Sequence, residues 1–168
     1  MTRKVRFYFG FLLALFVITL GGAKPSFSAE PDFLVVGAGI YDINDDKTAP
    51  EFRGEYRSGL RLWKLAPFVG FAGTTDETIY GYGGFGLDVY LGNRLVLTPS
   101  AAIVGYSQGD GKNLGGEFQF RTGAEAAWRF NDWSRIGIGF YHLSNAGIYT
   151  SNPGTEILGL TYSIPFVK

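Results

Sequence analysis

The segment EFQFRTGAEAAWRF, Glu117 to Phe130, alternates with a period of two along its whole length. Phe118, Phe120, Thr122, Ala124, Ala126, Trp128 and Phe130 fall on one face; Glu117, Gln119, Arg121, Gly123, Glu125, Ala127 and Arg129 fall on the other. Such a period belongs to a β-strand and to no helix. A water-soluble barrel would turn the apolar face inward, but two features argue for the reverse. The run is as long as the ~9–11 residues a tilted strand needs to cross a bilayer. Its apolar face also carries aromatics at both ends with small residues between, the pattern of a membrane-interface girdle. Glu51–Ser58, EFRGEYRS, repeats the scheme, with Glu51, Arg53, Glu55 and Arg57 alternating with Phe52, Gly54 and Tyr56. Charges on the two segments can pair inside a lumen, which satisfies what hydrocarbon cannot.

Six more segments complete the set: Phe33–Tyr41, Leu65–Gly73, Ile79–Leu91, Leu95–Tyr106, Arg135–Ser144 and Glu156–Phe166. The expected fold is all-β, an eight-stranded antiparallel transmembrane barrel of the outer membrane. Twenty-five glycines and 17% aromatic residues fit strands joined by turns. DINDDKTAP, SQGDGKNLGG and NAGIYTSNPGT are long polar connections, whereas LGNR and FNDWS are tight turns. Long loops outside and short turns in the periplasm follow if the chain starts on the periplasmic side, with GTTDET as one short outer connection. Pro67 and Pro99 lie inside expected strands, where a proline cannot donate to the ladder. The chain ends on alternating Leu158, Leu160, Tyr162, Ile164 and Phe166, similar to the terminal signal read by the barrel-assembly machinery, with Val167 and Lys168 beyond it.

Ahead of the barrel, Arg3, Lys4 and Arg6 precede the apolar run Phe7–Leu20 and then small residues Ser26, Ser28 and Ala29. These are the three regions of a secretory signal, with cleavage expected after Ser28 or after Ala29. Residues 1–28 are then the signal peptide, and residues 29–168 form a single barrel domain. Removing Arg3, Lys4, Arg6 and Lys24 leaves 11 basic against 15 acidic residues, a net charge of −4. That balance offers no footprint for nucleic acid. With no cysteine, the exported chain is held by packing or by a membrane, and not by disulfides.

The only histidine, His142, lies in FYHLSNAGIYTSNPGTEILGL, Phe140 to Leu160. By parity His142 and Ser144 share a face with Ile136, Ile138 and Phe140, opposite Gly137 and Gly139. Glu156 likewise shares the outward face with Leu158, Leu160, Tyr162 and Ile164. A hairpin folded symmetrically about Tyr149 sets His142 opposite Glu156, where Cβ atoms approach to ~4.5–5.5 Å. Ser144 lies two strand steps from His142, roughly 7 Å by Cα. A serine hydroxyl needs an adjacent base, an imidazole can take its proton, and a carboxylate fixes the imidazole tautomer. Backbone N–H groups of Asn145, Ala146 and Gly147, or the Asn152 side chain, are available as oxyanion donors. Ser144, Asn145 and the Asn152-Pro153-Gly154 turn are equally ordinary loop chemistry, but polar residues facing lipid are costly and usually functional. Asp42, Asp45 and Asp46 read as a solvated loop with no metal-ligand pattern.

HLSNAGIYTSNPGTE resembles the active-site hairpin of the lipid A 3-O-deacylase family, PagL. The resemblance implies an eight-stranded outer-membrane barrel whose substrate is lipid A of lipopolysaccharide, losing its ester-linked 3-acyl chain. It implies Ser144 as nucleophile, His142 as base and then acid, Glu156 as the orienting carboxylate and Asn152 at the oxyanion hole. The acyl chain would lie along the wall near Ile138, Phe140 and Leu158, with the site toward the outer leaflet. No cofactor or metal is implied, and a homodimer stays open. Three alternatives stand beside it. An outer-membrane phospholipase A would normally use asparagine as third member and calcium at a dimer interface. A structural or adhesin barrel would not need the three polar residues. A soluble periplasmic barrel would be extracted without detergent.

Overall fold

A computed structural model describes residues 25–27 and 30–166. Most of the expected signal segment, with Val167 and Lys168, lies outside the described residues. Eight long strands form the wall: β1 (Asp32–Tyr41), β2 (Ala49–Arg57), β3 (Leu65–Thr74), β4 (Ile79–Leu87), β5 (Leu95–Ser107), β6 (Phe118–Arg129), β7 (Arg135–Ser144) and β8 (Thr155–Phe166). Each pairs antiparallel with the next, and β8 pairs with β1 from Ile157–Tyr41 to Phe166–Asp32, which closes the barrel. Closure leaves no strand edge unpaired in the wall. Connections of unequal length separate the two ends. The segments 42–48, 75–78, 108–117 and 145–154 gather at one end; 58–64, 88–94 and 130–134 gather at the other.

The expected strands are present, with two local departures. The run Ile79–Leu91 is broken at Asp88, where the side chain turns into the lumen and accepts from Arg135 Nη1 (2.9 Å) and Thr98 Oγ1 (2.7 Å); a short strand, Val89–Leu91, resumes the same register on β5. Leu60–Leu62 forms a second short strand, which pairs with Pro25–Phe27 inside the expected signal segment. Both strand prolines sit where a ladder lapses. Pro67 lies one residue past the last β2–β3 pair, Arg57–Phe68. Pro99 lies one residue past the last β4–β5 pair, Gly86–Ser100.

The wall is inverted relative to a water-soluble barrel. Phe118, Trp128, Ile136, Ile138, Leu160 and Phe71 are exposed on the outside, while Gln119, Arg121, Glu125 and Arg135 are buried. Outward aromatics cluster toward the rims, Trp128, Tyr56, Tyr162 and Phe166 at the turn end and Phe118 at the loop end. Inside, charges from opposite strands meet. Arg57 of β2 reaches Glu125 of β6 with two parallel bonds (3.0 and 2.8 Å) and also pairs with Glu55. The Arg121 guanidinium stacks 3.6 Å from the Tyr141 ring centroid. Tyr80 donates to Glu51, and Thr161 donates to Glu125 (3.0 Å). Around Tyr141 the lumen is tightly filled: an added Cβ at Gly139 would meet the Tyr141 hydroxyl at 2.4 Å and its ring at 2.6 Å. A buried ionic core of this kind adds little net stability over an apolar one, but removing one partner strands a charge.

Candidate active site

β7 and β8 pair from Arg135–Ser163 to Leu143–Thr155, a register symmetric about Tyr149. His142 therefore lies opposite Glu156 on the outer face, next to the Phe140–Leu158 pair, with Ile138–Leu160 below. His142 Nδ1 and Glu156 Oε1 are 3.0 Å apart, and the two side chains are 36% and 29% exposed. An ionised carboxylate only accepts, so Nδ1 carries the proton; in the neutral imidazole that tautomer leaves the lone pair on Nε2. Ser144 ends β7, half-buried on the same face, opposite Phe120 of β6. Its hydroxyl makes no bond to His142 in this structure. The His142–Glu156 pair is formed, and Ser144 stands beside it on the same face.

The loop after Ser144 is held by Asn145, which is fully buried. Asn145 Nδ2 donates to Leu114 O (2.8 Å) and Ser151 O (2.7 Å), and its Oδ1 accepts from Gly147 N (2.9 Å). Asn145 N donates to Asn152 Oδ1 (3.0 Å). Of the four expected oxyanion donors, the Asn145 and Gly147 N–H groups are thus spent inside the loop. Because Asn152 presents its oxygen to Asn145 N, its Nδ2 stays free of that bond; this amide and the Ala146 N–H have no partner among the described residues. Ile138, Phe140 and Leu158, the expected acyl-chain contacts, form an exposed apolar strip running from the dyad toward mid-wall.

Two supports were not legible as such. Gly154, at φ +69°, packs against the imidazole so closely that an added Cβ would stand 2.8 Å from His142 Cε1. Asp42, expected in a solvated loop, is instead fully buried, and takes Lys112 Nζ at 2.7 Å. Asp45 is exposed and also receives Lys112 Nζ, at 2.8 Å. Lys112's hydrogen bond, then the Asp46 N–H, hold the Asp45 carboxyl below its ordinary range. Burial works against the Lys112 ammonium, but its bonds to Asp42 and Asp45 outweigh this and hold it above the usual lysine value. Among the described residues no group of His, Asp and Glu is arranged to hold a metal ion.

A family model described as lipid A 3-O-deacylase (PagL) matches residues 47–165, which include the whole site. The chain belongs to the lipid A 3-O-deacylase (PagL) family. The lipid A deacylase PagL of Bordetella bronchiseptica is 29% identical over 110 residues, 66% of this chain and 54% of that protein. The PagL of Pseudomonas aeruginosa is 37% identical over 65 residues, 39% of this chain and 37% of that protein. The chain thus spans about half or less of the length of these curated relatives. Among solved structures, the outer membrane enzyme PagL superposes with a TM-score of 0.61 at 17% identity, covering 80% of this chain and 99% of that one. Neisserial surface protein A superposes with a TM-score of 0.57 at 10% identity, over 85% and 99%. Both likenesses are of fold. The small closed barrel is shared by PagL and by barrels of other names.

Proposed function

We propose that this chain is an outer-membrane esterase that removes the ester-linked 3-hydroxyacyl chain from position 3 of lipid A. The observation that carries the reading is the His142 Nδ1–Glu156 Oε1 bond, made on the outward apolar wall beside Ser144. A polar dyad costs free energy on a lipid-facing surface and has no structural partner to satisfy there. It suits a substrate whose ester lies at the membrane interface. With long loops outside and short turns in the periplasm, the hairpin faces the outer leaflet, where lipopolysaccharide resides. The basic and apolar start of the chain serves as the export signal, cleaved after Ser28 or Ala29.

In the reaction, Ser144 Oγ attacks the acyl carbonyl carbon while His142 Nε2 takes its proton. Glu156 holds the ring by Nδ1 and stabilises the imidazolium. The carbonyl oxygen becomes an oxyanion, met by Asn152 Nδ2 and the Ala146 N–H. As the intermediate collapses, His142 returns the proton to the departing sugar 3-oxygen. Water then attacks the acyl carbonyl carbon as His142 takes its proton; the bond to Ser144 Oγ breaks, His142 returns the proton to Oγ, and the fatty acid leaves. The acyl chain lies along Phe140, Ile138 and Leu158, so it need not leave the apolar phase before cleavage.

Purified, folded barrel incubated with lipopolysaccharide in detergent is expected to release free 3-hydroxy fatty acid, unaffected by a calcium chelator. Release from glycerophospholipid instead, abolished by the chelator, would favour a phospholipase A. No release from either by folded protein would favour a structural barrel.

A further inference from the structure

Asp42 is a fully buried carboxylate with no part in the chemistry above. Burying an ionised group is costly unless it is paired and hydrogen-bonded, and Asp42 is engaged completely. Oδ1 accepts from Lys112 Nζ (2.7 Å) and from Thr155 Oγ1 (2.8 Å), and Oδ2 accepts from Lys47 N (3.1 Å). Thr155, itself fully buried, immediately precedes Glu156 and faces inward because Glu156 faces outward. One residue along from Asp42, Ile43 N donates to Glu156 O (3.2 Å). The end of β1 and the loop after it therefore grip the backbone on both sides of Glu156, from inside the barrel mouth. On the other side, Lys112 sits in the loop whose Leu114 carbonyl holds Asn145, next to Ser144. The Asp42–Lys112 ion pair, beside the Asp45–Lys112 pair, joins the support of the carboxylate to the support of the nucleophile.

We infer that Asp42 is a positioning residue for the His142–Glu156 dyad, acting through the Thr155 hydroxyl and the Glu156 backbone, with Lys112 bracing it from the opposite loop. This rests on the esterase reading above. The dyad is only as well aligned as the Glu156 Cα, because among the described residues His142 is the one side-chain partner of the Glu156 carboxylate. Thr155→Val keeps the shape and removes the donor to Asp42, leaving the Asp42–Lys112 pair intact.

The test compares wild type, Thr155→Val, Thr155→Ser, Lys112→Met and Ser144→Ala for 3-hydroxy fatty acid release. The folded fraction of each is read from its heat-modifiable gel mobility. Thr155→Val is expected to lower kcat on the order of tenfold per folded molecule with KM unchanged. Thr155→Ser should restore it, and Lys112→Met should shift kcat in the same direction by less. Wild-type kcat in folded Thr155→Val overturns the inference. So does a loss that follows the folded fraction and is not restored by serine, since that marks a purely structural threonine. Should Thr155→Val fold too little to assay, unchanged kcat in folded Lys112→Met overturns the inference alone. An inactive wild type, or an active Ser144→Ala, refutes the esterase reading itself and is recognised separately.

Discussion

Gly154→Ala is a one-methyl probe of how the imidazole is held. Gly154 has φ +69°, where a residue with a Cβ is strained by roughly 1–2 kcal/mol. The new methyl would stand 2.8 Å from His142 Cε1 and 3.4 Å from Nε2. Carbon atoms rest at about 3.5 Å or more, so the ring must retreat by roughly 0.7 Å or swing on χ1. Either movement pulls on the 3.0 Å bond to Glu156 and displaces Nε2 from the path of Ser144. Misplacement of a reacting group by about 1 Å can cost ~100-fold, so kcat should fall about 30–100-fold, or ~2–3 kcal/mol in barrier. KM should change little, because the apolar strip over Phe140 and Leu158 is untouched. The ladder from Arg135–Ser163 to Leu143–Thr155 stays intact, so the barrel should keep its heat-modifiable mobility. The assay is fatty acid release at several lipopolysaccharide concentrations, normalised to folded protein. Activity within about twofold of wild type would refute the claim that Gly154 holds the ring.

Other perturbations separate the roles of neighbouring groups. Asn152→Ala should lower kcat by ~10²–10³ if its Nδ2 meets the oxyanion, with KM nearly constant in the same assay. Phe140→Ala should instead raise KM several-fold and leave kcat almost unchanged, as read from the same concentration series. Ile138→Lys, on the lipid face toward mid-wall, should destabilise the inserted barrel by ~2–4 kcal/mol, measured by urea titration in bilayers. The Lys112 clamp on the long loops should hold over a defined pH window. Asp45 is lowered, so its contribution is full above the ordinary carboxylate value of ~3.9 and is lost as pH falls through the lowered value. Lys112 is raised, so its contribution is full below ~10.4 and is lost as pH rises through the raised value. Limited proteolysis of the loops should therefore accelerate at both extremes and stay flat between them.

The outward and inward faces were legible because a strand's parity is a hard constraint. Once Trp128 and Arg121 are set on opposite faces of β6, neighbours in register follow. The His142–Glu156 pairing was legible for the same reason, as the two flanking alternations admit a symmetric hairpin about Tyr149. What escaped depends on contacts between loops distant in sequence. Asn145 looked like an oxyanion donor; its N–H meets Asn152 and its amide meets Leu114, 31 residues away. Asp42 looked solvated because its partners, Lys112 and Thr155, lie 70 and 113 residues off. Gly154 looked like turn chemistry, which it is, but no local pattern announces that a ring rests on it. The break at Asp88 was hidden because a charge entering the lumen to meet Arg135 does not interrupt the alternation around it.

We propose that an outward-facing Ser144–His142–Glu156 site hydrolyses the 3-acyl ester of lipid A. Mass spectrometry of lipid A from a Gram-negative host making wild type or Ser144→Ala tests it most directly. Loss of one 3-hydroxyacyl group from position 3 is expected with wild type and intact lipid A with the variant, both barrels being folded in the outer membrane. Unchanged lipid A with folded wild type, or equal loss with Ser144→Ala, would contradict it.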